Sequence, residues 1–171
     1  MSNGIKVNKR NGSIEPLDLD KMHRMVEEAT KGLAGVSASQ VEIQSGIQFY
    51  DGITTDAIQE ILIKSASDLI DLEHPNYQFV AARLLLFAVR KSLYGKMREL
   101  PHLEEHIVKT VSQEVYDAGI YDKYSKEDIE KANGYIDHDR DFLFTFAGLR
   151  QVVDKYLVQD RSTGQVYETP Q

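Results

Sequence analysis

Val7-Asn8-Lys9-Arg10-Asn11-Gly12-Ser13-Ile14-Glu15, running on to Asp18 and Lys21, is the stretch from which the rest of the chain can be read. Asn11-Gly12 is a strong two-residue hairpin signal, because both central positions of a type I′ turn need φ > 0. Such a hairpin puts Lys9 and Arg10 just before the turn and Glu15 just after it. Asp18 reads as an N-cap, with Lys21 in the first turn of the helix that follows. Cations beside a helix N-terminus oppose its dipole unless an anion sits there too, and a phosphate chain would supply one. The plainer alternative is a solvated hairpin carrying a few charges.

Downstream, Met22, Val26, Ala29 and Leu33 repeat at helical spacing and predict a helix from about Leu19 to Leu33, punctuated by Gly32 and Gly35. Ser37 to Gln40 and Ser39 to Glu42 both read as capping boxes, with Ile43, Ile47 and Tyr50 as the buried stripe and Asp51-Gly52 as the stop. Thr54, Thr55 and Asp56 offer three consecutive capping side chains before a third helix, whose apolar pattern is Ile58, Ile61, Leu62, Ser65, Ala66 and Leu69. Pro75 restarts the chain. Residues 76–94 read as a fourth helix, apolar on most of its circumference and so expected to be packed on more than one side, and Gly95 ends it. Phe87 and Lys91 lie one turn apart on one face of it. Lys91 there either complements the helix dipole or points back toward the hairpin.

The composition of the 171 residues, 42% hydrophobic and 27% charged, is that of an ordinary globular chain with enough length for a real core. A net charge of −7 with no Lys/Arg-rich arm argues against a nucleic-acid partner. Met1 to Arg10 is too polar for a signal peptide, and the longest apolar run, Leu84 to Val89, is far too short to span a bilayer. The chain has no cysteine, which excludes disulfides, zinc ribbons and cysteine chemistry within it. A cytoplasmic protein with no membrane partner is the simple reading.

After Gly95 the sequence turns more polar. Leu103, Ile107, Val111 and Val115 mark one helix, Ser125 to Asp128 cap a short one, and residues 144–157 predict a last one. Asp137, Asp139 and Asp141 copy the start of a calcium loop, but Phe142 stands where that loop needs Gly and Gly148 where it needs Glu. No metal site is therefore assigned; these residues are expected to bond backbone groups and one another at a helix entrance. Residues 156–160 and 165–168 flank Arg161-Ser162-Thr163-Gly164 as a hairpin. No internal repeat or low-complexity tract is visible. The abrupt stop at Thr169-Pro170-Gln171 points to a fragment of something longer.

The pattern Val7-x-Lys9-Arg10-x-Gly12-x-x-Glu15, then Lys21, Phe49-Tyr50-Asp51-Gly52-Ile53-x-Thr55 and Pro75-x-Tyr77-Gln78-x-x-Ala81-Ala82-Arg83 resembles an ATP-cone. More narrowly, it resembles the N-terminus of the large (alpha) subunit of aerobic class I ribonucleoside-diphosphate reductase, of the bacterial and bacteriophage kind. Tyr94-Gly95, Ile136-x-His138-x-Arg140-Asp141, and Lys155-Tyr156-Leu157-Val158 through Thr163-Gly164 to Tyr167-Glu168 extend the likeness over essentially the whole chain. The resemblance implies a mainly α fold: residues 1–95 as an ATP-cone, a short β-hairpin followed by a four-helix bundle, and residues 96–171 as the start of a second helical domain ending in a β-hairpin.

It also implies an effector site for ATP as activator or dATP as inhibitor, with Mg2+ as an accessory ion. Lys9, Arg10 and Lys91 match phosphate-binding positions, and Thr55 matches a nucleotide contact, read here as a helix cap. Glu15 with Pro16, Leu17 and Asp18 matches the wall that meets the base, where a carboxylate can accept the adenine amino group. Lys21, Val7 and Phe87 complete the pocket. The implied partners are the remainder of the alpha subunit and the radical-generating beta subunit. Reductases of this family work through cysteine radicals and cysteine pairs, so this chain holds no catalytic residue and is inactive alone.

Two departures stand out. Relatives strongly inhibited by dATP carry Asp and His where this chain has Ala57 and Gln59, and Asn where it has Asp18. A second negative charge beside the base reshapes recognition unless Lys21 or Arg10 offsets it, and the losses at 57 and 59 put dATP inhibition in doubt. The rival readings are a repressor pairing a cone with a zinc ribbon, which lacks its cysteine ligands here, and a helical docking module whose cone binds no nucleotide. An anaerobic reductase can also carry a cone, but residues 96–171 fit the aerobic class better.

Overall fold

The computed structural model describes residues 4–171; the first three residues of the polar Met1–Arg10 stretch lie outside it. The chain divides into two compact units, residues 1–88 with 144–150 and residues 89–143 with 151–171.

In the first unit β1 (Lys6–Asn8) and β2 (Ile14–Pro16) form the expected hairpin, followed by α1 (Leu19–Thr30), α2 (Ala38–Gly46), β3 (Ile53–Thr54), α3 (Thr55–Asp68) and α4 (Tyr77–Tyr94), whose last turns belong to the second unit. The expectation of a mainly α cone, a hairpin followed by a four-helix bundle, is corrected to a mixed α/β arrangement. The overturning element is β3, which pairs parallel with β1, so that the sheet order is β2-β1-β3. Two strands of three residues are marginal by themselves, and a third strand with a buried face makes them viable. Val7 and Ile53 are register partners and both are buried, at 3% and 0% exposure. The loop into β3 is tied to β1 by Lys6 N–H on Asp51 Oδ1 (2.9 Å), Gly52 N–H on the Lys6 carbonyl (2.9 Å) and Asn8 Nδ2 on the Gly52 carbonyl (2.9 Å). Asp51-Gly52 thus does not end α2, which stops at Gly46, but turns the chain into a strand. Two residues are too few for alternation to be legible.

The hairpin turn also differs from expectation. Gly12 takes a φ of 81°, but Asn11 does not join it in the left-handed region. Gly12 N–H reaches the Lys9 carbonyl (2.9 Å) and Lys9 N–H reaches the Ser13 carbonyl (2.8 Å), so the turn closes on Arg10-Asn11 and Gly12 forms the bulge. Arg10 therefore rides in the turn.

Asp18 caps α1, its carboxylate accepting the Lys21 N–H at 2.8 Å. The buried stripe is Met25, Val26 and Ala29; Met22 is only half-buried, and the helix stops at Thr30, before Leu33. Arg83 Nη1 donates to the carbonyls of Ala29 (3.1 Å) and Lys31 (2.8 Å), satisfying the end of α1 from α4. In α2 the expected stripe is wrong: Ile43, Ile47 and Tyr50 are 69%, 83% and 58% exposed, and Val41 and Ser45 face inward instead. The capping boxes fail for a related reason. The Ser37 side chain makes no cap bond; Tyr77 takes the Ser37 N–H at 3.0 Å and gives its hydroxyl to Gln40, so a residue of α4 sets the rotation of α2. Helix α4 matches its pattern, with Tyr77, Val80, Ala81, Ala82, Leu84, Leu85, Leu86 and Phe87 buried.

The second unit holds the end of α4, then α5 (Leu103–Ser112), α6 (Ile120–Lys123), α7 (Lys126–Asn133), a 3₁₀ segment (His138–Leu143), the end of α8 (Phe146–Lys155), and the hairpin β4 (Gln159–Asp160)–β5 (Gln165–Val166). Ser125 and Asp128 form a reciprocal capping box on α7. The aspartates of the calcium-like run serve other ends than a helix entrance alone. Asp137 accepts the Asp139 N–H at 3.1 Å, whereas Asp141 is buried against Arg90, with Nη2 at 2.8 Å. Arg90 also donates to the His138 carbonyl at 2.9 Å and lies 5.2 Å over the Phe142 ring. Burial pushes the Asp141 carboxyl up and the arginine opposes it.

His106 stands edge-on between two tyrosines, with the Tyr94 hydroxyl 3.2 Å from Nδ1 and the Tyr116 hydroxyl 3.5 Å from Nε2. Glu168 accepts the Tyr116 hydroxyl and the Val158 N–H (2.9 Å). Burial holds the His106 pKa below its ordinary 6.5, with Glu168 opposing and Lys109 assisting.

Replacing Asp18 by Ala should lower thermal stability by about 1 kcal/mol, while Asn, which also caps, should retain most of it; paired melts check this. A second expectation concerns pH. Below pH 6.5 the unfolded chain binds a proton at His106 that the fold resists, so stability is full above that pH and is lost as pH falls through the lower folded value. His138, held down by burial and by Arg90, acts with the same sign. Melting temperature should fall between about pH 7 and pH 5, and His106→Gln should flatten that slope.

Candidate functional site

The site is built where the hairpin tip meets the start of α3. β1 is hydrogen-bonded on both edges, so the residue after it, Lys9, and the turn residue Arg10 are held beside the β3–α3 junction. Thr54, not Thr55, is the helix cap, its hydroxyl accepting the Ala57 N–H at 3.1 Å. Thr55 is the first helical residue, and its hydroxyl reaches back to the Asn8 carbonyl at 3.4 Å. That bond adds a strut between β1 and α3. It also corrects the reading of Thr55 as a cap.

Each cation at the tip has a carboxylate partner. Lys9 Nζ is 3.2 Å from Glu15 Oε2 across the hairpin. Arg10 directs Nε (2.8 Å) and Nη2 (2.5 Å) at one oxygen of Asp56, and Nη2 also lies 3.3 Å from Gln59 Oε1. Asp56 is thus not a cap but the counter-ion of Arg10, a role without a sequence signal, because the two are 46 positions apart. Gln59 is 5% exposed, and its Nε2 is buried with no hydrogen-bond acceptor. An unsatisfied donor of this kind costs about 1–3 kcal/mol. The site therefore offers a half-buried and an exposed cation, a buried orphan donor and a helix N-terminus, a set that suits phosphate oxygens.

Of the other expected residues, Glu15 and Pro16 lie exposed on β2, and Leu17 is half-buried, its N–H on the Ile5 carbonyl at 2.8 Å. Asp18 and Lys21 begin α1. The structure brings Val7, Lys9, Arg10, Glu15, Thr55 and Gln59 together around the sheet; Val7 is a core residue beneath it. Phe87 is fully buried in α4. Lys91 lies in the last turn of α4, in the second unit, where its charge complements the helix dipole. Among the described residues no group of three or more His, Asp or Glu is placed to hold a metal, and no helix is long and apolar enough to cross a membrane.

Residues 5–92 match the family described as the ATP cone domain. The chain is 47% identical over all 171 residues to ribonucleoside-diphosphate reductase 1 subunit alpha of Escherichia coli. It is 46% identical over 171 residues to the subunit alpha of Haemophilus influenzae, and 41% identical over 169 residues to that of Enterobacteria phage T4. These alignments take in 100% of this chain for the first two and 98% for the third. The chain spans only 22% of the length of each of these relatives, in their N-terminal region. A cation-tipped hairpin paired through β1 to the strand before α3, inside a family match that runs from residue 5 to residue 92, makes this chain a member of the ATP-cone family.

Proposed function

We propose that this chain is the allosteric N-terminal part of a ribonucleoside-diphosphate reductase alpha subunit, binding ATP to control the reduction of ribonucleotides to deoxyribonucleotides. The observation that carries the reading is the pair of cations at the hairpin tip, Lys9 and Arg10, the second held against the first turn of α3 beside a buried donor without an acceptor. In this reading residues 1–95 are the nucleotide-binding domain. Lys9, Arg10 and Lys91 take the phosphates, joined by Thr55 and Gln59, with Mg2+ as an accessory ion. Glu15, Pro16, Leu17 and Asp18 meet the base, and Lys21, Val7 and Phe87 support the wall. Residues 96–171 begin the next helical domain. Turnover, the rest of the alpha subunit and the radical-generating beta subunit belong to the parent protein, since the chain has no cysteine to carry the chemistry.

Asp18 spends one carboxylate oxygen on capping α1. With Ala57 and Gln59 in place of the Asp and His of strongly inhibited relatives, the off-switch is reduced or absent while binding is retained.

Calorimetric titration of the chain with ATP should give micromolar binding that a Lys9→Ala/Lys91→Ala double variant loses. No heat and no thermal stabilisation at millimolar nucleotide would overturn the reading and leave a docking module, for which the exposed Ile43, Ile47 and Tyr50 speak. For the off-switch, activity of the full reductase should be nearly unchanged by micromolar dATP; clear inhibition there would refute a weakened switch.

A further inference from the structure

Among the described side chains of the hairpin tip, Arg10 is the one whose partnership spans two elements distant in sequence. Its guanidinium does not wait open for a ligand. Both Nε and Nη2 are spent on a single Asp56 oxygen, at 2.8 and 2.5 Å, and Nη2 leans on Gln59 Oε1 at 3.3 Å. We propose that Asp56 is a built-in competing anion: it occupies the phosphate-facing donors of Arg10, so that a nucleotide phosphate binds by displacing the Asp56 carboxylate. This rests on the cone being a nucleotide site, and names a regulation of that same site.

The geometry supports exchange rather than permanence. The pair is exposed, 39% at Arg10 and 59% at Asp56, and exposed ion pairs are weak and salt-screened. A triphosphate carries more charge than one carboxylate and meets the same fork of donors. It also finds a second donor, since Gln59 Nε2 is buried beside the pair without an acceptor. The assignment of that amide follows from Arg10: reversing it would set an NH2 against the guanidinium. Displacing Asp56 also releases Arg10 from Gln59 Oε1, and the freed amide can then turn its unsatisfied NH2 toward the incoming anion. Asp56 stands in the first turn of α3, so its charge also offsets the helix terminus that would otherwise draw the anion.

The test is calorimetry of the whole 171-residue chain with ATP at low ionic strength, in wild type, Asp56→Asn and Glu60→Gln. Glu60 is an exposed carboxylate one turn further along α3 and controls for net charge alone. Asp56→Asn should tighten ATP binding by roughly threefold to tenfold, the gain shrinking as salt rises, while Glu60→Gln changes it less than twofold. Binding by Asp56→Asn where wild type shows none would support the inference still more strongly. Equal or weaker binding by Asp56→Asn, or an equal gain in both variants, would overturn it while wild-type binding keeps the nucleotide reading intact. Silence of all three proteins at millimolar ATP, with normal melts, would overturn both.

Discussion

The first unit depends on β1 being paired along both edges. Three residues, Lys6 to Asn8, accept β2 on one side and β3 on the other. Nothing this short is stable as an isolated hairpin. What holds it is the burial of Val7 against Ile53, together with the bonds from Asp51, Gly52 and Thr55 that close the strand junction. That pairing carries residues 9–10 to residues 54–59. Without it, a basic turn and a helix N-terminus would be unrelated surface features.

The ion pairs of the chain fall into two physical kinds. Those at the hairpin tip, Lys9–Glu15 and Arg10–Asp56, are open to solvent on at least the carboxylate side and so contribute little to stability. A pair of that strength can be traded for another anion without unfolding anything. Arg90–Asp141, in the second unit, is almost wholly shielded from solvent, with side-chain exposures of 3% and 0%. Breaking such a pair leaves an uncompensated buried charge. The first kind suits ligand exchange and the second suits anchoring, here of the 3₁₀ segment to the end of α4. The same residue types do both jobs, and burial alone separates them.

Much of the chain was legible because its signals are local. Capping by Asp18, the apolar circumference of α4, the capping box at Ser125 and the closing hairpin around Gly164 each follow from residues within a few positions of one another. The misreadings share a cause. Spacing puts Ile43, Ile47 and Tyr50 on the buried stripe of α2, but a helix with apolar residues on more than one face can rotate, and Tyr77 of α4 fixes which face goes in. Asn11-Gly12 points to a type I′ turn, yet a two-residue and a bulged loop share that dipeptide. Strand β3 was invisible because two residues carry no period.

By itself, the sequence determined which residue types are available, roughly where the longer helices lie, and, through its spaced motifs, the family to which residues 5–92 belong. The tertiary structure decided that the cone is mixed α/β, that Thr54 rather than Thr55 caps α3, and that Arg10 is held by Asp56. The physical reason is range. Helix signals, caps and turns are set by interactions over one to four residues, whereas the β1–β3 pairing and the Arg10–Asp56 ion pair join groups more than forty positions apart, and only the closed sheet brings those groups within hydrogen-bonding distance.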